Sequence, residues 1–404
     1  MIVELKLRIR DKFFAINIPN FFIMNASLLP DVFINRTSSY LPNAPVNNED
    51  IELYLGKING IPSRSRSIIL RQNKIKTRYY ALDTDQQITH TNAELAKNAI
   101  RALFVNHDSK YDVLACATSN ADVIIPSHAS MVHGLLNNCP VELYSLAGVC
   151  LTGIQALKVA CMALKTGCAK NAVSCASEQP SAGMLSKNFE MEYDFLAKAE
   201  ENPYIAFEKD FLRFMLSDGA GAFFLETVPN PEGLSLKMEW IEMISYANEL
   251  PVCMYSGAEI QPDGSVKGWK EFDQQDLMNR SILMIKQDIK LLKNNGVKYW
   301  VDHIEETLLK HKVNTRSIDF VIPHVSSMFF YDLLDEELKK RNIDLSTDKW
   351  FTNLTSVGNI GSASIYVALD ELFHSGKLKK GDKVLLLVPE SGRFSYGTVL
   401  LSVV

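Results

Sequence analysis

Short apolar runs that a sheet would bury on both faces recur along this chain, at residues 111–117, 171–176, 319–324 and 383–388. Helical patterns separate them, at 92–104, 129–136, 154–166, 281–294 and 301–311, and one begins after Ser326 or Ser327 and runs to Lys340. That alternation predicts an α/β protein with a parallel sheet and helices packed on its faces. With 404 residues the chain can bury a large core, and each half offers strand, loop and helix in comparable order. The order hints at an internal duplication. The Pro229-Asn230-Pro231-Glu232-Gly233 break sets the expected halves at 1–232 and 233–404.

Further strands are expected at 13–18, 21–24, 234–244 and 398–404, and a strand ending near Leu143. The Pro/Asn-rich stretch 41–48 reads as loop, Pro262-Asp263-Gly264 as a turn, and 353–364 as a Gly/Ser/Asn loop entering a helix that ends at His374. Residues 61–80 carry Arg64, Arg66, Arg71, Lys74, Lys76 and Arg78 with no acid. Such a block is either a solvated face or a landing site for an anionic partner.

Several classes are excluded. The formal net charge of -5 argues against general nucleic-acid binding. Seven cysteines without Cys-x-x-Cys spacing suit a reducing compartment better than a disulfide framework. No His-Glu-x-x-His or other zinc spacing occurs, and the 216–225 turn lacks the third glycine and following helix of a dinucleotide fingerprint, so no metal or cofactor is expected. The charged first dozen residues do not resemble a signal peptide, and no apolar run approaches the roughly 18 residues of a membrane span. A cytoplasmic protein with no membrane or nucleic-acid partner is the expectation.

Three polar residues stand at strand or loop ends that feed helices: Cys150, His324 and Asn359. Cys150 sits between Gly148 and Gly153 where a helix begins, a place whose free N–H groups and positive dipole end favour a thiolate and an oxyanion. Each residue also has a bland reading, as buried cysteine, structural histidine or Gly-Asn turn. Together they suit thioester exchange followed by carbon–carbon bond formation, a thiolate accepting the acyl group while imidazole and amide steady an enolate.

The chain resembles the beta-ketoacyl-carrier-protein synthase III group of the thiolase superfamily. The pieces that carry the resemblance are 73–78, Ala117-Thr118 through Pro126-Ser127, Cys150, 218–222, Pro323-His324 and 358–364, in order over about 330 residues. The resemblance implies a thiolase-like fold, two duplicated halves in a five-layered αβαβα sandwich, and a homodimer. It makes Cys150 the nucleophile, with His324 and Asn359 polarising a thioester carbonyl and the N–H groups of Cys150 and Gly392 forming an oxyanion hole. Arg71, Lys74, Lys76 and Arg78 then fall where acyl carrier protein or coenzyme A thioesters would dock.

The chain departs from the group at Val325-Ser326-Ser327 and at Glu390-Ser391-Gly392. Strings at 75–80, 126–134, 206–211 and 389–395 are similar to the subgroup that makes dialkylresorcinol precursors. There a beta-ketoacyl and an alpha,beta-unsaturated acyl thioester are joined by Michael addition and Claisen closure, and a downstream enzyme aromatises the ring. A beta-ketoacyl unit has an acidic alpha carbon, so a base can replace decarboxylation. His324, with an ordinary pKa near 6.5, is the expected base, and Glu390 and Ser391 are auxiliary candidates, Glu390 alternatively pairing with Arg393. His128 and His133 are read either as channel lining or as structural. The competing readings are a decarboxylating synthase III or acyltransferase, and a noncatalytic ketosynthase-like subunit.

Overall fold

The computed structural model describes residues 29–105, 107, 110–192 and 210–404. The strands expected at 13–18 and 21–24, and most of the 206–211 string, lie outside them.

The main elements, in chain order, are β1 (Phe33–Tyr40), α1 (Asn92–Ala102), β2 (Val113–Thr118), α2 (His128–Leu136), β3 (Glu142–Ala147), α3 (Thr152–Lys165), β4 (Asn171–Glu178) and β5 (Gly219–Glu226). They continue as β6 (Leu236–Ser245), α4 (Ile289–Lys310), β7 (Phe320–Pro323), α5 (Met328–Lys340), α6 (Ser364–His374), β8 (Lys383–Glu390) and β9 (Ser395–Val403). The nine strands form one sheet in the order β7-β8-β9-β6-β1-β5-β4-β2-β3. It is mixed rather than parallel. From β1 outward the pairings run antiparallel to β5, antiparallel to β4, then parallel to β2 and β3. From β6 outward they run antiparallel to β9, antiparallel to β8, then parallel to β7. The same pairing sequence is thus written twice, and β1 and β6 join the two runs through Phe33↔Lys237 and Ile34↔Leu236.

Alternation along each strand separates three apolar layers. On β2, Val113, Ala115 and Ala117 face the central layer, while Leu114 and Cys116 face α1 and α2. On β8, Val384, Leu386 and Val388 face the same central layer, and Leu385 and Leu387 face α4 and α5. Helices α3 and α6 fill the middle with Ile154, Leu157, Leu164, Ile365, Leu369 and Leu372. Burial on both faces explains why these strands read as unbroken apolar runs. The result is the five-layered thiolase-like sandwich.

Where the elements differ from expectation, tertiary contacts decide. Strand β1 carries no apolar alternation in its sequence, Phe-Ile-Asn-Arg-Thr-Ser-Ser-Tyr. Its buried polar groups are satisfied individually: Thr37 and Ser39 donate to the two Asp370 oxygens at 2.7 and 2.6 Å, Ser38 to the Ala99 carbonyl, and Asn35 to Glu226. The two helices expected at 281–294 and 301–311 are replaced by one, α4, capped by Asp288. It runs through Gly296, whose carbonyl accepts the Tyr396 hydroxyl at 2.9 Å, so packing outweighs the roughly 1 kcal/mol cost of a helical glycine. The strand expected to end near Leu143 continues to Ala147, and Pro389-Glu390 close strand β8 rather than opening a loop.

The central helices approach at a point only glycine permits. A Cβ on Gly153 would lie 2.4 Å from the Ser362 carbonyl oxygen, and one on Gly221 2.4 Å from Tyr366 Cβ. Tyr366 stacks on Phe223 at 4.1 Å and its hydroxyl reaches the Gly153 carbonyl and Ser174. Among the described residues no helix is long and apolar enough to cross a membrane. Replacing Gly153 by alanine is expected to cost about 1–3 kcal/mol in urea unfolding, the range for an overpacked core; unchanged stability would show that the crossing can relax.

Candidate active site

Cys150 occupies the turn just before α3 and is buried. Opposite it, the backbone N–H of His324 bonds to the Leu387 carbonyl at 2.8 Å, which fixes the histidine beyond the end of β7 beside β8. Cys150 and His324 line one cavity together with Glu390 and Ser391. Its remaining wall is largely apolar and comes from α4, α5 and β9: Leu292, Val297, Trp300, Phe330 and Tyr396, with Phe394 from the turn.

Asn359 is not among the residues that line this cavity, and backbone pairing fixes it beside Ser217. Its carbonyl accepts the Ser217 N–H at 2.9 Å and its N–H donates to Met215. Its side-chain oxygen accepts the Gly361 N–H at 3.0 Å, which orients the amide. Gly358, at φ 75°, makes this turn, and a Cβ there would meet Ser217 and Arg78 at 2.8 and 3.0 Å. Glu178, buried at the end of β4, holds the following residues by accepting the Ser362 N–H at 3.2 Å and the Ser362 hydroxyl, as well as the Ser119 N–H. Asp218 similarly gathers the Ala81 and Ser181 N–H groups.

Burial dominates the electrostatics. It pushes the Cys150 thiol well above its ordinary range, and the nearby Glu390 and Glu178 carboxyls push it further the same way. The thiolate expected from the helix start is therefore not the resting form. Burial lowers His324 to about 4, so it rests as a neutral imidazole. The neutral ring can donate one hydrogen bond and accept a proton, and the lowered pKa makes it a weaker base than an exposed histidine. Among the described residues neither of its ring nitrogens has a protein partner.

The auxiliary candidates separate. Glu390 does not pair with Arg393, whose Nε turns to the Leu250 carbonyl. The Glu390 carboxylate instead lies by the turn that carries Cys150, its Oε2 3.7 Å from where a Cβ on Gly148 would stand, and burial raises its pKa while the backbone of Val149 and Leu151 acts to lower it. Ser391 contacts Met254 Sδ at 3.8 Å. The Gly392 carbonyl accepts the Cys253 and Met254 N–H groups at 2.9 and 3.2 Å, which anchors this turn to the 246–288 excursion.

Of the basic block, Arg71 and Lys76 are exposed, and Lys74 is exposed with Asp332 at 3.4 Å. Arg78 corrects the expectation. It is fully buried, its guanidinium bonded to Asn48 Oδ1 at 2.8 Å and to the Phe214 carbonyl, so it buttresses the Gly358 turn and cannot meet a carrier. The two nearby histidines are structural: His128 bonds Ser177 at 2.9 Å and His133 the Cys139 carbonyl at 3.0 Å. The cavity-wall residues and Glu178 were not legible beforehand, since each reads as ordinary core or strand end.

A raised thiol pKa makes Cys150 protonated throughout the neutral range, so its alkylation by iodoacetamide should be slower at pH 8 than that of an ordinary cysteine and should climb with pH. Fast alkylation, flat from pH 6 to 8, would instead mean a resting thiolate.

Comparison with known proteins agrees with this geometry. The profile for the C-terminal part of 3-oxoacyl-[acyl-carrier-protein (ACP)] synthase III matches residues 308–403. Beta-ketoacyl-[acyl-carrier-protein] synthase III of Clostridium novyi is 24% identical over 385 residues, covering 92% of this chain and 98% of its own. The Neisseria meningitidis protein of the same name is 27% identical over 375 residues, covering 91% and 98%. Among solved structures, the tetronic acid condensing enzyme AbyA1 superposes with a TM-score of 0.70 at 20% identity, covering 92% of this chain and 99% of its own. The Pseudomonas aeruginosa 3-oxoacyl-(acyl carrier protein) synthase III gives 0.66 at 17%, covering 92% and 98%. In fold and in sequence, over about nine-tenths of its length, the chain is thus similar to beta-ketoacyl-[acyl-carrier-protein] synthase III enzymes, which are acyl-transferring condensing enzymes.

Proposed function

We propose that the protein joins a beta-ketoacyl thioester to an alpha,beta-unsaturated acyl thioester, giving a dialkyl cyclohexanedione-type precursor of dialkylresorcinols. The observation that carries this reading is an apolar cavity lined by both a buried thiol, Cys150, and a neutral imidazole, His324. A dry, apolar wall accepts alkyl chains, and the polar head performs chemistry on the thioester end.

In this reading Cys150 takes the enoyl group by thioester exchange and the incoming thiol leaves. His324 and Asn359 donate to the thioester oxygen of the second substrate, where enolate charge develops. The N–H groups of Cys150 and Gly392 serve the oxyanion at the acylated cysteine. The enolate carbon adds to the beta carbon of the bound enoyl group, and a second carbanion closes the ring on the thioester carbonyl and expels Cys150. Arg71, Lys74 and Lys76 form an exposed basic surface suited to a carrier protein or coenzyme A thioester. A homodimer working upstream of an aromatising enzyme completes the picture. AbyA1 supports it by analogy, since a tetronic acid condensing enzyme uses the same fold.

The decarboxylating alternative rests on the names of the curated relatives, which are beta-ketoacyl-[acyl-carrier-protein] synthase III. Mass spectrometry of products from medium-chain beta-ketoacyl and 2-enoyl thioesters, without malonyl, separates the two. A cyclohexanedione-type product that disappears with Cys150→Ala is expected. No ring product, but a beta-ketoacyl product from acyl-CoA and malonyl carrier protein, would establish the alternative. Full pathway activity with Cys150→Ala would indicate a noncatalytic subunit.

A further inference from the structure

The proposed condensation requires a base, and His324 is already engaged there as a hydrogen-bond donor to the developing enolate. We propose that the Glu390 carboxylate is that base, a catalytic residue that removes the alpha proton of the beta-ketoacyl thioester. This rests on the reading of the reaction given above.

The geometry is specific. Glu390 ends strand β8 and enters the same cavity as Cys150 and His324. Its carboxylate lies beside the turn that carries the nucleophile, where the Val149 and Leu151 backbone favours its charged form. Two glycines leave room for it: a Cβ at Gly392 would sit 3.1 Å from Oε1, and one at Gly148 3.7 Å from Oε2. Arg393, the nearest cation in sequence, is turned away to Leu250. A half-buried carboxylate without a cationic partner among the described residues is costly, and its position at a nucleophile's turn favours a chemical role.

The proton inventory closes. The C–H bond between the keto and thioester carbonyls breaks, its proton passes to a Glu390 oxygen, and its electron pair moves to the enolate oxygen held by His324 and Asn359. The enolate carbon then bonds to the enoyl beta carbon, the enoyl pi electrons move toward that group's thioester oxygen, and Glu390 returns the proton to its alpha carbon. No oxidant or further reactant is consumed. The same carboxylate makes the cavity unfavourable for malonyl, whose own carboxylate would meet Glu390 there, with Glu178 adding to the negative field at Cys150.

The titratable groups facing Glu390 are Cys150 from the start of α3 and His324 from the end of β7, both uncharged at rest, with Glu178 from β4 behind the cysteine. Burial raises the Glu390 carboxyl, which strengthens it as a base. Its activity should be lost as pH falls through that raised value and the carboxylate becomes protonated.

The test is enzyme-catalysed exchange of the alpha protons of a beta-ketoacyl thioester with deuterium oxide, with no enoyl partner present. E390Q should lower exchange by about 100-fold or more, the range for loss of a general base, while its melting temperature stays near the parent's. Added formate should restore exchange to E390A, and the parent's acid limb should vanish from E390Q. Parent-level exchange in E390Q overturns the proposal, as does failure of formate to rescue a folded E390A. If E390Q unfolds, the formate result with E390A decides. Glu390-dependent exchange without any ring product would refute the assigned condensation while leaving the base in place.

Discussion

The structure depends on the close approach of α3 to the turn that enters α6. Gly153 opens the helix that follows Cys150, and its Cα faces the Ser362 carbonyl with no room for a side chain. Ser362 belongs to the turn that carries Asn359, and its hydroxyl and N–H are held by Glu178 from β4. One contact therefore brings the nucleophile's helix from one half against the amide's turn from the other. Tyr366 completes the joint through its hydroxyl on the Gly153 carbonyl and its ring on Phe223. Interiors packed this closely transmit displacement rather than absorb it, so the joint sets the site's dimensions.

Charge at the site is set by burial rather than by neighbouring cations. A helix start favours a thiolate by fractions of a kcal/mol to a few, yet complete desolvation and two carboxyls act in the opposite direction at Cys150. His324, equally buried, stays neutral. The resting cavity thus holds an uncharged thiol and imidazole beside the Glu390 carboxylate, and new charge appears when a thioester enters and a proton moves. In a low-dielectric cavity each such charge interacts strongly with the groups fixed around it.

Much of this was legible in the sequence. The apolar runs at 111–117 and 383–388 announced strands buried on both faces, and Cys150, His324 and Asn359 could be singled out as strand or loop ends feeding helices. Strand β1 escaped because its polar residues are satisfied only by partners distant in sequence, Asp370 and Glu226. The sheet's mixed direction escaped because hydrophobic pattern does not encode strand polarity. Arg78 looked like its basic neighbours, but the short pairing of Val46–Asn47 with Thr77–Arg78 accompanies a residue turned inward. Glu390 falls between the strands expected at 383–388 and 398–404, whereas the register of β8 with β9 carries it to the cavity.

In the proposed chemistry, carbon–carbon bond formation is organised on an acylated Cys150. The most direct measurement is mass spectrometry of the intact protein, then of its peptides, after incubation with a 2-enoyl thioester alone. The account predicts one acyl group per chain, carried on the peptide containing Cys150 and on none of the other six cysteines among the seven in the chain. An unmodified Cys150, or acylation at another cysteine with condensation intact, would contradict it.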